Sequence, residues 1–259
     1  MIITTWNING VKARLEAAVA YLRQANPDVA CLQEIKSVDE GFPRQAFEEL
    51  GYTVATHGQK GFNGVALLSK HGLEDVARGL PGDDSDVQSR WIEALVPFGS
   101  TMVRVASIYL PNGNPMGTEK FSYKLSWMQR LEAHARVRLR EEALLVLAGD
   151  FNVIPEPVDA KRPQAWVNDA LFQPESRRAW RALSHIGLTD ATRACQPEAG
   201  IYTFWDYQAG AFQKDDGIRI DHIFLSPQAA DRLVSSGVDR GPRGGEKPSD
   251  HVPVWVELQ

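Results

Sequence analysis

Several apolar runs of this chain end in groups that can hold a cation or move a proton. IITTW is followed by Asn7 and Asn9, VACLQ by Glu34, and VRVASIYLPN carries Tyr109 and Asn112 at its end. LLVLAG runs into Asp150 and Asn152, IRIDHIFL holds Asp221 within a β-type run, and PSDHVPVWVEL sets Asp250 and His251 before its last apolar stretch. Carboxylates and amides with a single imidazole form a hard-oxygen donor set that suits Mg²⁺ or Mn²⁺, and no cluster of His and Cys supports zinc. Residues two apart in a strand share a face, so Asn7 with Asn9, and Asp150 with Asn152, can aim at one place. Asp250 and His251 would point oppositely on a regular strand, and must lie in the turn after Pro248 if both serve one site.

Taken singly, each group has a plainer role. Asn7 or Asn9 could cap a helix, Glu34 could simply be solvated, and Tyr109 could be a core residue with a satisfied hydroxyl. A lone Asp-His pair is more often structural. Asp221 resists such a reading, because a carboxylate beside Ile220 and Ile223 needs a cationic or donor partner, for which His251 is the candidate. The single-residue readings do not explain why polar groups recur at one strand end after another.

The elements that must position them are short. β-type runs fall at 2–5, 29–33, 52–56, 65–69, 91–96, 102–109, 144–148, 201–205, 218–225 and 252–258. GVKARLEAAVAYLRQANP predicts a helix with Val11, Leu15, Ala18, Val19 and Leu22 on one face, Asn9 as its cap and Pro27 as its stop. TEKFSYKLSWMQRLEAHARVRLR predicts a second helix with Phe121, Leu125, Met128 and Leu131 inward, and a third spans 176–186. Asn63-Gly64 is a hairpin signal, and the Pro/Gly-rich patches at 79–82, 111–117 and 241–248 are loops. With no internal repeat and few crossover helices, this inventory favours antiparallel or mixed sheets, packed in pairs with outer helices, in a single domain of residues 1–259.

Composition narrows the functional classes. The 259 residues, 43% hydrophobic and 24% charged, suffice for a sizeable core. A net charge of −5 argues against indiscriminate polyanion binding but leaves room for a local basic groove. Cys31 and Cys195 are far apart, and Cys31 lies in an apolar run, so a reducing compartment is expected rather than a disulfide scaffold. MIITTWNING has neither a basic n-region nor a long apolar h-region, and no apolar stretch reaches the roughly 18 residues of a membrane span. A cytoplasmic protein without membrane partners is expected.

Read in order, TWNING, LQEIK, GFNGVALLSK, GLPGDDSDVQSR, IYLPNG, LAGDFN, YTFWDY, RIDHIFLS and EKPSDHVPVW resemble the exonuclease III family of abasic-site endonucleases, within the endonuclease/exonuclease/phosphatase superfamily. GDFN with SDH alone would indicate only the larger group, which also contains lipid and inositol phosphatases. LQEIK, YTFWDY and RIDHIFLS narrow it to DNA repair nucleases. The resemblance implies an α/β fold, a four-layer sandwich of two mixed, mostly antiparallel sheets packed face to face and flanked by helices. It also implies a monomeric enzyme acting on double-stranded DNA at abasic sites or 3′ ends, with Mg²⁺ or Mn²⁺.

By that similarity Glu34 is the principal metal ligand, with Asn7, Asn9, Asp250, Asp150 and Asn152 in or next to the metal shell. Asp150 orients and deprotonates the attacking water, and Asn152 positions that water or the phosphate. His251 stabilises a phosphoryl oxygen and is oriented by Asp221, while Tyr109 and Asn112 donate to the phosphate. Phe204, Trp205 and Ile220 match a compact apolar wall that admits a baseless sugar and excludes an intact nucleotide. Some relatives carry a Trp where this chain has Ile218. Lys36, Arg90, Arg240, Arg243 and Lys247 are candidate phosphate contacts, whereas Arg136, Arg138 and Arg140 are read as a solvated helix face. Two rivals stand beside this reading: a phosphomonoesterase or phospholipase of the same superfamily, which would lack the FWDY wall, and a non-catalytic binding module, which would be free to lose the acids.

Overall fold

Most of the expected β-type runs pair into two six-stranded sheets in the computed structural model, which describes residues 1–259. The strands are β1 (Ile2–Asn7), β2 (Val29–Gln33), β3 (Thr53–His57), β4 (Val65–Ser69), β5 (Glu74–Arg78), β6 (Trp91–Phe98), β7 (Thr101–Tyr109), β8 (Leu144–Asp150), β9 (Thr189–Asp190), β10 (Asp221–Leu225), β11 (Leu233–Val238) and β12 (Val254–Leu258). The helices are α1 (Leu15–Ala25), α2 (Arg44–Glu48), α3 (Glu119–Leu139), α4 (Pro174–His185), α5 (Ala191–Cys195) and α6 (Pro227–Ala230). One sheet runs β11-β12-β1-β2-β4-β3 and the other β5-β6-β7-β8-β10-β9. Each is antiparallel except for one parallel pair, β1 with β2 and β7 with β8. A parallel pair needs a crossover, and α1 and α3 supply the two.

Three apolar layers hold the stack together. Between the sheets lie Ile3, Val29, Cys31 and Leu67 from one side and Val105, Val146, Ala148 and Ile223 from the other. Ala18, Tyr21, Leu22 and Phe47 of α1 and α2 cover the outer face of the first sheet, while Trp127, Met128, Leu131, Trp180 and Leu183 of α3 and α4 cover the second. Helix, sheet, sheet, helix is the expected four-layer sandwich. Asn26 ends α1 in the left-handed conformation, its N–H on the Leu22 carbonyl, just before Pro27.

Some expectations need correction. Asn9 does not cap the first helix: a 3-10 turn, Val11–Arg14, intervenes, and its start has no side-chain cap. The buried stripe of α3 is rotated from the expected face. Lys124, Trp127, Met128, Leu131, His134 and Ala135 are buried, while Phe121 and Leu125 are only half-buried. The run 201–205 is not a strand, and β10 begins at Asp221 rather than 218. There the Thr203 hydroxyl accepts from the backbone N–H groups of Ile220 and Asp221, which a ladder would otherwise use. Only isolated bridges remain, Phe204 with Ile218 and with His251, and Ile218 with Ala160. Asn63-Gly64 closes a longer β3–β4 connection instead of forming a two-residue turn. Strands β5, β9 and β11 lacked an apolar signal because they are short, polar or at sheet edges.

Candidate active site

Sheet register sets the first row of groups. Tyr109, Asp150 and Asp221 end or begin β7, β8 and β10 and are direct cross-strand partners, Tyr109 with Asp150 and Asp150 with Asp221. On the facing sheet Asn7 ends β1 opposite Gln33 of β2, so Glu34 follows at the same end. The two parallel pairs therefore deliver their polar ends to one rim. Gly149 makes the close approach of β7 and β8 possible: a Cβ there would lie 2.0 Å from the Ile108 carbonyl oxygen.

Asn7 joins the two sheets. Its Nδ2 donates to Glu34 Oε1 and to Asp150 Oδ2, each at 2.9 Å, while its Oδ1 accepts from the Asn9 N–H. The other Asp150 oxygen accepts from the Asn152 N–H at 2.9 Å. Asp250 and His251 sit in the loop before β12, as serving one site requires. Nδ1 of His251 meets Asp221 Oδ2 at 2.8 Å, and its Nε2 lies 3.7 Å from Asp150 Oδ2. Thr203 donates to the same Asp221 oxygen at 2.6 Å, which fixes the carboxylate that orients the imidazole. The Asp221 partner sought in the sequence is thus His251, with Thr203 as an unforeseen third member.

Electrostatics follow from these distances. Burial drives the Asp150 carboxyl upward; the His251 charge pulls it back and Asp221 pushes it up again, leaving it above the usual carboxylate range. Burial opposes a charge on His251, but Asp221 and Asp150 beside it outweigh that and raise the imidazole above its ordinary value. Burial raises Glu34 less than the Asn7 N–H and the Lys36 ammonium lower it. Burial, then the Glu34 and Asp150 carboxylates, hold the Tyr109 phenol well above its ordinary value.

The donor set fits a hard cation. The Lys36 ammonium already sits between Glu34 Oε2, at 2.9 Å, and Asn9 Oδ1, so these oxygens face a positive charge. Asn9 also donates to Asp250 Oδ1 at 3.1 Å, joining that carboxylate to the group. Asp150, Asp221 and His251 likewise place ligand atoms within 4.8 Å of one another. Asp221 Oδ2 takes both His251 and Thr203 while its Oδ1 has no partner, and Glu34, Asp250, Asn9 and Asp150 are the other oxygen donors available to a cation at this rim.

Beside these groups opens a cavity of about 200 Å³, bordered by Trp166, Leu171, Phe204 and Ile220 as well as by Tyr109, Asn112 and Asn152. Phe204 and Ile220 lie where the sequence reading put them. Trp205 does not: it is fully buried behind the wall against Tyr202, Ala211 and Val252, with Nε1 on Asp215. Its β-type neighbourhood gave no warning, because the chain leaves strand geometry there. Trp166 and Leu171 replace it; they come from a loop region without periodicity, so sequence could not flag them. Lys36 faces Glu34 and Asn9, as above. Arg90 stacks on Tyr109 at 4.8 Å and donates to Gln88, and Arg240 and Arg243 lie over aromatic rings of the 205–212 loop. A larger cleft, about 670 Å³ between α1 and residues 239–246, contains none of the candidate site groups.

A face-to-face sandwich with acids, amides and an imidazole gathered at one rim defines a phosphoester hydrolase. Residues 4–251 match the model of the Endonuclease/Exonuclease/phosphatase family, and the chain belongs to that family. It is 36% identical to exodeoxyribonuclease III of Haemophilus influenzae over 98% of each chain. An AP endonuclease from Archaeoglobus fulgidus superposes with a TM-score of 0.94 at 36% identity, covering 100% of this chain and 99% of that one. The 3′ phosphatase NExo from Neisseria, bound to product DNA hairpin, superposes with a TM-score of 0.96 at 38% identity and the same coverage. No helix is long and apolar enough to cross a membrane.

Proposed function

We propose that this chain is a divalent-metal-dependent DNA repair nuclease. It hydrolyses the phosphodiester 5′ to abasic sites in duplex DNA, removes 3′ blocking groups and nucleotides, or does both. Residues 1–259 act as one catalytic domain, as a cytoplasmic monomer. The observation that carries the reading is the hydrogen-bonded line Glu34–Asn7–Asp150, with the His251–Asp221 pair beside it, at the edge of a small apolar-walled cavity. The DNA-bound relative and the repair nucleases among the similar proteins support the substrate class.

Glu34 would hold Mg²⁺, or Mn²⁺ in its place, with Asp250, Asn9 and Asp150 beside it. When bound, the ion neutralises phosphoryl oxygens and helps the departing 3′ oxygen. Asp150, anchored by Asn7 and the Asn152 N–H, accepts the proton of the attacking water. His251 keeps Nδ1–H on Asp221 and offers Nε2–H to a phosphoryl oxygen. Tyr109 and the amides of Asn112 and Asn152 add donors at the same phosphate. Trp166, Leu171, Phe204 and Ile220 admit an extruded sugar that lacks its base.

The test compares a duplex bearing one abasic analogue with an undamaged duplex ending in a 3′ phosphate, in Mg²⁺, in Mn²⁺ and with chelator. Cleavage of either that stops with chelator is expected. Preference for lipid or inositol phosphates over both duplexes would overturn the reading.

A further inference from the structure

Lys124 is a fully buried lysine in the second turn of α3, where Trp127, Met128 and Leu131 are its inward neighbours. It forms no ion pair. Its Nζ donates instead to two backbone carbonyls, that of Asn112 at 3.0 Å and that of Asn152. Burying an ammonium is costly, and methionine would fill a similar volume without that cost. The lysine is therefore explained by its two bonds rather than by its packing.

Those carbonyls belong to different loops, one leaving β7 and the other leaving β8. Drawn to one nitrogen, they bring the side chains together, with Asn112 Nδ2 donating to Asn152 Oδ1 at 3.1 Å. Asn152 has a left-handed backbone, φ 47°, which asparagine tolerates and which turns its carbonyl out of the strand direction of β8. Gly113, at φ 91°, passes so close that a Cβ would lie 2.7 Å from Lys124 Cδ. The loop continues to Asn114, whose Nδ2 meets Asp169 at 3.0 Å and whose Oδ1 accepts from the Ala170 N–H at 3.1 Å. Asp169 and Ala170 lie between Trp166 and Leu171 of the cavity wall, so the lysine supports the phosphate amides and that wall through one loop.

We propose that Lys124 is a positioning residue that sets the spacing of Asn112 and Asn152 at the phosphate subsite by binding their backbone carbonyls from beneath. This rests on the reading that those amides hold the phosphate. Lys124→Met is expected to lower kcat about 100-fold, the scale of a small misplacement of reacting groups, with KM for the duplex kept within about threefold. Lys124→Gln, which retains N–H donors on a shorter stem, is expected to fall between that variant and wild type. Met128→Ala, which loosens the adjacent position of α3, should lower the melting temperature while keeping kcat within about threefold.

Amide hydrogen exchange gives a readout independent of activity. In Lys124→Met, exchange at 110–116 and 151–154 should rise about tenfold, with β1 and β2 unchanged. Unchanged exchange at those loops, or kcat equal to wild type in a wild type that cuts DNA, overturns the proposal. If the methionine variant does not fold, the glutamine variant answers both measurements. Should wild type fail to cut DNA while exchange responds as stated, the proposed function falls and the positioning role stands.

Discussion

Asp150 and Asp221 are neighbours across one strand pair and have different partners. Asp150 accepts from Asn7 and the Asn152 N–H and faces His251 Nε2, whereas Asp221 receives His251 Nδ1–H and the Thr203 hydroxyl. Asp150→Asn keeps the shape, removes the proton acceptor and relieves a buried charge. We expect turnover to drop by about three orders of magnitude or more while the melting temperature holds or rises. Asp221→Ala leaves Asp150 in place but removes the acceptor for Nδ1–H, so a drop of about 1,000-fold, mainly in kcat, is expected. Steady-state kinetics with thermal melts on both variants check this, and near-normal cleavage by Asp150→Asn would remove it from the mechanism.

At the scale of elements, the site depends on how closely β7, β8 and β10 pack. Gly149→Ala would place a methyl group 2.0 Å from the Ile108 carbonyl oxygen, forcing β7 and β8 apart. A loss of at least about 3 kcal/mol is expected in denaturant unfolding. The β10–α4 contact adds a pH dependence. His222 lies against Phe151 and Trp180, its Nε2 on the Val153 carbonyl and its Nδ1 on Arg219. Burial, then the Arg219 charge, lowers it from 6.5 to about 4. Above pH 6.5 it is neutral in both states and contributes no slope. Below that, the unfolded chain takes up a proton that the folded chain refuses, so stability falls as pH drops from 6.5 toward 4. The loss is on the order of 2 kcal/mol by pH 4.5. Subtracting the melts of His222→Gln from those of wild type at pH 7 and pH 4.5 cancels the other groups. An unchanged difference would mean that the folded histidine is not held neutral.

For the whole molecule, a cation at the rim would tie the sheets together a second time, beside the Asn7 bridge. Chelator is expected to abolish incision and added Mg²⁺ to restore it. The same addition should raise the wild-type melting temperature by about 2–4 °C, and that of Glu34→Gln by less, because binding to the folded state alone stabilises it. Equal shifts in both proteins would place the ion away from Glu34. A net charge of −5 confines DNA attraction to local basic groups, and salt should weaken binding accordingly.

Sequence by itself determined which side chains end the buried strands. Apolar runs are legible because burial imposes a period, and an acid or amide at the end of such a run stands out against it. Glu34 and Asp150 were found in that way, Asp221 by its place inside an apolar run and His251 as its candidate partner, while the same runs pointed to paired sheets with outer helices. Only the tertiary structure decided which of these groups touch. The Asn7 bridge between the sheets, Trp166 and Leu171 in place of Trp205, and Lys124 beneath two loops all arise from contacts between distant segments. Trp166 and Leu171 lie outside any strand, and Asn7 and Lys124, though on β1 and α3, meet partners that only the packing of distant segments supplies.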